Sequence, residues 1–203
     1  PYSGICGITL DELQTQMNED IDELAKKMSL SRQQTIESLK ENYDGYHFTW
    51  PGPDVFNPYS LLNCFADGKI DAYWFGSGTP SYLIEMMRKY DFLPADLGEE
   101  MDADKADFDA ATETMSNIMP LLYQSGYITI KAYDPDTELY TLGIPNKEIR
   151  VGLFRNLMPH YLGKFSQMGN TTIAKMSALI NRDNMDGALS MLKEFLATVP
   201  YCD

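Results

Sequence analysis

Cysteine is scarce in this chain of 203 residues: Cys6, Cys64 and Cys202 are odd in number and widely spaced, and only His47 and His160 accompany them. These five residues form no recognisable zinc pattern, and the cysteines read as reduced thiols. Thiol catalysis would need a histidine held beside one of them, and nothing in the spacing supplies it. Long apolar runs are missing as well. No stretch reaches the roughly 18 uncharged residues of a membrane helix, and the start of the chain lacks the basic-then-apolar order of a signal peptide. The expected compartment is the cytoplasm, with no membrane partner. Positive charge is short, 16 Lys and Arg against 30 Asp and Glu for a net charge of −14, which argues against a surface that coats nucleic acid. Catalytic loops are absent too. No Gly-rich loop ends in Lys-Ser or Lys-Thr to hold phosphates, and Ser60, Ser77 and Ser81 lie in no Gly-x-Ser-x-Gly elbow.

Apolar side chains are plentiful: 44% hydrophobic and 12% aromatic content supports one good core or two small ones. Charge is unevenly spread. Residues 1–138 carry net −16, residues 139–182 net +5 through Lys147, Arg150, Arg155, Lys164, Lys175 and Arg182 against Glu148, and residues 183–203 net −3. Such a switch marks a module boundary or a face that docks on an acidic partner, although a solvated helix face is the commoner origin of a charge run.

Thr9-Leu10-Asp11-Glu12 has the form of a capping box, and Ser31-Arg32-Gln33-Gln34 repeats it, so helices are expected from each. Leu10, Leu13 and Met17, then Ile21, Leu24 and Met28, recur at helical spacing and suit two short helices or one kinked one. Gly45 is placed to stop the helix that carries Ile36, Leu39 and Tyr43. Asn57-Pro58 starts another, and Thr79 caps a further one with Tyr82, Leu83, Met86 and Met87. Residues 91–110 are acidic and read as a connection with at most one short helix. A helix over 118–124, a strand over 127–133, a turn at Asp134-Pro135-Asp136-Thr137 and a returning strand over 139–142 follow, then a long helix opened by Pro145-Asn146 with Pro159 as a kink point. Two more helices fit Thr172–Asn181 and Asn184–Thr198. The fold class expected is mainly α with a minor antiparallel β-hairpin.

Few residues suggest chemistry. Gly76-Ser77-Gly78-Thr79 offers free backbone donors before a helix, where an anion could sit, but it lacks the third glycine and the lysine of the known phosphate loops. Acidic pairs such as Asp11/Glu12 are routine on helix surfaces and favour the helix dipole. His47 beside Asp44 has the residue types of an acid–base pair, while its aromatic neighbours favour a half-buried structural histidine.

In order along the chain, Gly7-Ile8-Thr9-Leu10-Asp11-Glu12-Leu13, Tyr43-Asp44-Gly45-Tyr46-His47-Phe48, Phe56-Asn57-Pro58-Tyr59-Ser60-Leu61-Leu62-Asn63, Tyr73-Trp74-Phe75-Gly76-Ser77-Gly78-Thr79-Pro80, Leu122-Tyr123-Gln124-Ser125-Gly126-Tyr127-Ile128-Thr129-Ile130 and Tyr140-Thr141-Leu142-Gly143-Ile144-Pro145-Asn146 resemble successive markers of the predicted AAA-ATPase-like family of bacteria. The resemblance implies a P-loop ATPase core upstream and a PD-(D/E)XK nuclease-like domain downstream, with this chain as the piece between. It further implies a helical lid over 1–90, an acidic connection over 91–112 and a winged-helix-like region with C-terminal helices over 113–203. On that basis the chain itself is expected to be non-catalytic and free of cofactor, with ATP and Mg belonging to the parent. Gly76, Ser77, Gly78 and Thr79 would face nucleotide. Lys147, Arg150 and Arg155 would face a partner domain or nucleic acid, and a nucleic-acid-binding winged helix is the alternative function.

Overall fold

The structure, a computed structural model, describes residues 6–77, 81–93, 96–98 and 100–162, together with 171, 172, 174–176, 178, 179, 182 and 184–198. It is mostly helical with one three-stranded antiparallel sheet. The chain divides into two compact units, Pro1–Leu153 and Phe154–Asp203.

The first unit begins with α1 (Leu10–Gln16) and α2 (Asn18–Met28), two helices that share Met17 as the end of one and the start of the next. Both expected capping boxes are formed, Thr9 with Glu12 and Ser31 with Gln34, the second opening α3 (Arg32–Tyr43). Asn57 caps α4 (Pro58–Asp67) by accepting from the backbone of Tyr59 and Ser60 at 3.0 and 3.4 Å. The apolar stripes of these four helices meet in one core in which Leu13, Ile21, Leu39, Tyr43, Phe56 and Leu61 are fully buried. Burying each such side chain is worth about 1.5–3 kcal/mol. The Tyr43 hydroxyl, at the edge of that core, donates to the Asp71 carbonyl at 2.9 Å and accepts its N–H at 3.0 Å.

After a 3-10 turn at Trp74–Ser77 comes α5 (Ser81–Lys89), with Leu83, Ile84, Met86 and Met87 buried. The acidic stretch expected to be a connection holds more order than its composition suggests. It forms a 3-10 turn at Asp96–Gly98, strand β1 (Met101–Ala103) and helix α6 (Lys105–Phe108), which has its own Asp104–Asp107 capping box. Next come α7 (Met119–Gln124), β2 (Thr129–Asp134) and β3 (Leu139–Gly143). The hairpin is therefore part of a larger sheet of order β1-β3-β2. Its turn is held by Asp134, whose carboxylate accepts from the Asp136 N–H and the Thr137 hydroxyl, each at 2.9 Å. A bulge between Ile130 and Ala132 turns Lys131 out of the ladder.

Helix α8 (Lys147–Leu162) continues past Pro159 and reaches into the second unit, where α9 (Met185–Thr198) follows. The helix expected over Thr172–Asn181 lies partly outside the described residues, as do Thr79 and Cys202.

Candidate functional site

Segments far apart in sequence converge at one corner of the first unit. Helix α3 ends at Tyr43 because Asp44 is extended and Gly45 takes φ +93°, a region that L side chains rarely enter. A Cβ on Gly45 would also stand 2.5 Å from the Pro145 carbonyl oxygen, so this position needs glycine twice over. The Asn146 side chain donates to the Asp44 carbonyl at 3.0 Å, and its own oxygen accepts from the Ile149 N–H at 3.1 Å, capping α8. Lys131, turned out by the bulge, donates to the Pro145 carbonyl at 3.0 Å. Tyr46 pairs antiparallel with Val55, and the Asn57 N–H donates to the Tyr43 carbonyl at 2.9 Å. The His47 N–H donates to the Thr129 hydroxyl at 2.7 Å, which in turn donates to the His47 carbonyl at 2.8 Å.

Trp74 completes the corner. Its N–H donates to the Glu148 carboxylate at 2.9 Å, and one helical turn further along α8 a Cβ on Gly152 would stand only 2.0 Å from the Phe75 ring. The Trp74–Ser77 turn is thereby seated on the start of α8. Glu148 is only 3% exposed, and besides the Trp74 N–H the Ser60 hydroxyl and the Tyr73 N–H stand beside its carboxylate as donors. Burial pushes its carboxyl above the ordinary value, against the pull of the Trp74 N–H. Burial also raises the Asp44 carboxyl and lowers the Lys131 ammonium, the latter against the nearby charges of Asp54 and Glu100. The Tyr46 hydroxyl is held well above the usual phenol range by burial and then by the Glu148 charge.

His47 does pair with a carboxylate, but with Asp54: Nδ1 lies 2.9 Å from Oδ1, and the ring packs on Trp50 with centroids 5.0 Å apart. Its Nε2 is buried without a partner among the described residues, so no hydroxyl or thiol there is placed for it to activate. Cys6 is exposed and Cys64 buried, both as free thiols. Among the described residues no group of three or more His, Cys, Asp or Glu is gathered as metal ligands would be.

The corner opens outward into a groove of about 680 Å³. Tyr46, Phe48, Tyr59, Trp74 and Tyr123 line it together with Phe56, Gly126 and Cys6, and none of the described lining residues is Lys, Arg, Asp or Glu. Gly126 has φ +73°, and its Cα faces the Tyr46 and Trp74 rings: a Cβ there would lie 3.6 and 3.8 Å from them.

Of the residues singled out from sequence, Gly76 and Ser77 lie in the 3-10 turn, while Gly78 and Thr79 lie outside the described residues. Lys147 is exposed and paired with Glu41 at 3.0 Å. Arg150 is exposed on α8 in the first unit, and Arg155 is exposed in the second. Sequence reasoning passed over Glu148, Asn146 as a partner of Asp44, and Gly126 as a groove wall. The available signal was the lone acid in a basic stretch, set directly before buried Ile149.

Across 203 residues, 98% of its length, the chain is 26% identical to a protein of Azotobacter chroococcum mcd 1 described as "Uncharacterized protein in vnfD 5'region". The chain spans 36% of that relative's length. No family model matches the chain, and no solved structure matches it. Among the described residues no helix is long and apolar enough to cross a membrane.

Proposed function

We propose that this chain is the non-catalytic lid and winged-helix segment of a longer AAA-ATPase-like protein, a module that passes nucleotide state from an upstream core to a neighbouring domain. The observation that carries this reading is the seat of the Trp74–Ser77 turn on α8, through the Glu148–Trp74 hydrogen bond and the close approach of Phe75 to Gly152. A displacement of the Gly76–Thr79 segment by nucleotide would be felt at the start of the helix that carries Lys147 and Arg150. The winged-helix part rests on element order. Helix α5, strand β1, helices α6 and α7 and the β2–β3 hairpin follow one another, with β1 on the outer edge of β3. Helix, strand, two helices and a hairpin, with the first strand against the last, is the element order of a winged helix, and on this reading that region would begin at α5 and not at residue 113. The chain's 36% share of a longer relative accords with a segment that works beside other domains. ATP and Mg belong to the upstream core in this scheme, and the chain supplies neither phosphate ligands nor a catalytic base.

The test is titration of ATP, ADP and adenosine into the chain alone and into the chain mixed with the upstream part of the longer protein. Binding that depends on the phosphates is expected only in the mixture. Phosphate-dependent binding by the chain alone would overturn the reading, because a lid completes another domain's site and does not hold the phosphates itself.

A further inference from the structure

We propose that a second cavity, between the loop 48–50 and helix α6, is a binding site for a methylated or quaternary ammonium group. The cavity holds about 310 Å³, at the lower end of the range for small-molecule sites, which suits a compact head group. Phe48, Trp50, Tyr123 and Tyr140 line it, and Lys105 and Asp109 stand in the same lining. These rings are open to a guest: Phe48 is 41% and Trp50 40% exposed, and Tyr123 and Tyr140 are half-buried. Buried Phe108 backs the two tyrosines edge-on, its ring centroid 4.8 Å from that of Tyr123 and 5.3 Å from that of Tyr140. His47 packs against Trp50 in turn. Several supported but accessible rings about one small cavity attract a cation, because the face of an aromatic ring carries partial negative charge.

Charge narrows the class. Lys105 and Asp109 form the longest ion pair among the described residues, at 3.8 Å, and both side chains are more than half exposed, so the Asp109 carboxylate is free to take a second cation. The Tyr123 phenol feels that carboxylate: burial and then the Asp109 charge hold it above its ordinary value, which keeps the ring neutral near pH 7. An anion would have only Lys105 to meet it, in a stretch, residues 1–138, that carries net −16. A bare ammonium gives up strong hydration on entering such a site, whereas methyl groups on the nitrogen weaken that hydration and offer the rings apolar surface. A free choline-like molecule and a methylated lysine side chain carry the same group. The cavity draws on neither Gly76–Thr79 nor an upstream domain, so it stands or falls apart from the lid reading.

The experiment uses the chain with Trp74→Phe, which leaves Trp50 as its one tryptophan fluorophore. At constant ionic strength it is titrated with choline, with capped trimethyllysine, and with the uncharged isostere of choline in which carbon replaces nitrogen, each to about 20 mM, a range that covers millimolar affinities. The expected result is a saturable change in Trp50 emission with choline or trimethyllysine, at least about five-fold tighter than with the isostere. Either ammonium supports the proposal, and the tighter of the two names the source of the group. Asp109→Asn should weaken binding about three-fold through the lost charge, and Phe48→Ala about three-fold through the lost ring. Both side chains are exposed, so these changes leave the core intact and the loss reads on binding. Absence of saturation with both ammonium ligands, equal affinity for the isostere, or a response that neither variant changes overturns the proposal.

Discussion

Glu148 shows how much of this site depends on a single protonation state. Its carboxyl is raised by burial, so the folded chain holds that proton more tightly than the unfolded chain does. For an acid raised in this way the associated stability is present below the ordinary value of 4.5 and is lost as pH rises through the raised one. Glu148→Gln keeps an oxygen for the Trp74 N–H and removes the buried charge, so its urea midpoint should gain on the wild type as pH rises above the ordinary value. Glu148→Ala leaves the Trp74 N–H unpaired and should lose about 1–3 kcal/mol, including at acid pH where the Gln variant and wild type converge. His47 teaches the opposite lesson about reading residues by proximity in sequence. Asp44 is three residues away, yet its extended backbone sends it elsewhere, and Asp54 reaches the ring because Tyr46 and Val55 pair and fold the intervening loop back.

At the scale of elements, helix starts were the most legible feature. A cap needs only one side chain and its own next three residues, so Thr9, Ser31 and Asn57 all act where their motifs predict. The β2–β3 hairpin was legible for a similar reason, being local and rich in β-branched and aromatic residues. Strand β1 was not. Three residues carry no periodicity, and Met101–Ala103 is a strand only because β3, about forty residues later, offers an edge to pair with. The marker segments were visible in order, but their meeting at one corner rests on contacts between side chain and backbone, such as Asn146 to Asp44, that leave no local pattern. The seat of the Trp74–Ser77 turn yields an element-scale prediction. Gly152→Ala places a methyl 2.0–2.9 Å from three atoms of the Phe75 ring, so the turn must lift from α8. A loss of about 1–3 kcal/mol in urea unfolding is expected, with altered Trp74 emission in a Trp50→Phe background. Unchanged stability and emission would show that the turn is not held there.

Across the whole molecule the charge pattern restrains any role with nucleic acid. Helix α7, the helix immediately before the hairpin, contains no Lys or Arg, and the hairpin turn presents Asp134, Asp136 and Glu138 to solvent. Lys131 is half-buried against Pro145, Lys147 is paired with Glu41, and the exposed Lys105 has the Asp109 carboxylate 3.8 Å away. The chain is therefore expected to leave labelled duplex DNA unshifted near 0.15 M salt. A shift that weakens steeply with added salt would restore the nucleic-acid reading.

The bond between Asn146 and Asp44 joins residues 102 positions apart, and it closes the corner in which Tyr46, Asn57 and Trp74 meet. At a translation rate of about 5–20 residues per second, roughly 5–20 s pass between the emergence of Asp44 and that of its partner. During that interval the four N-terminal helices have left the ribosome with their polar corner still open to water, and Glu148 is not yet there to receive Trp74. The groove is therefore among the last parts of the first unit to be shaped during synthesis.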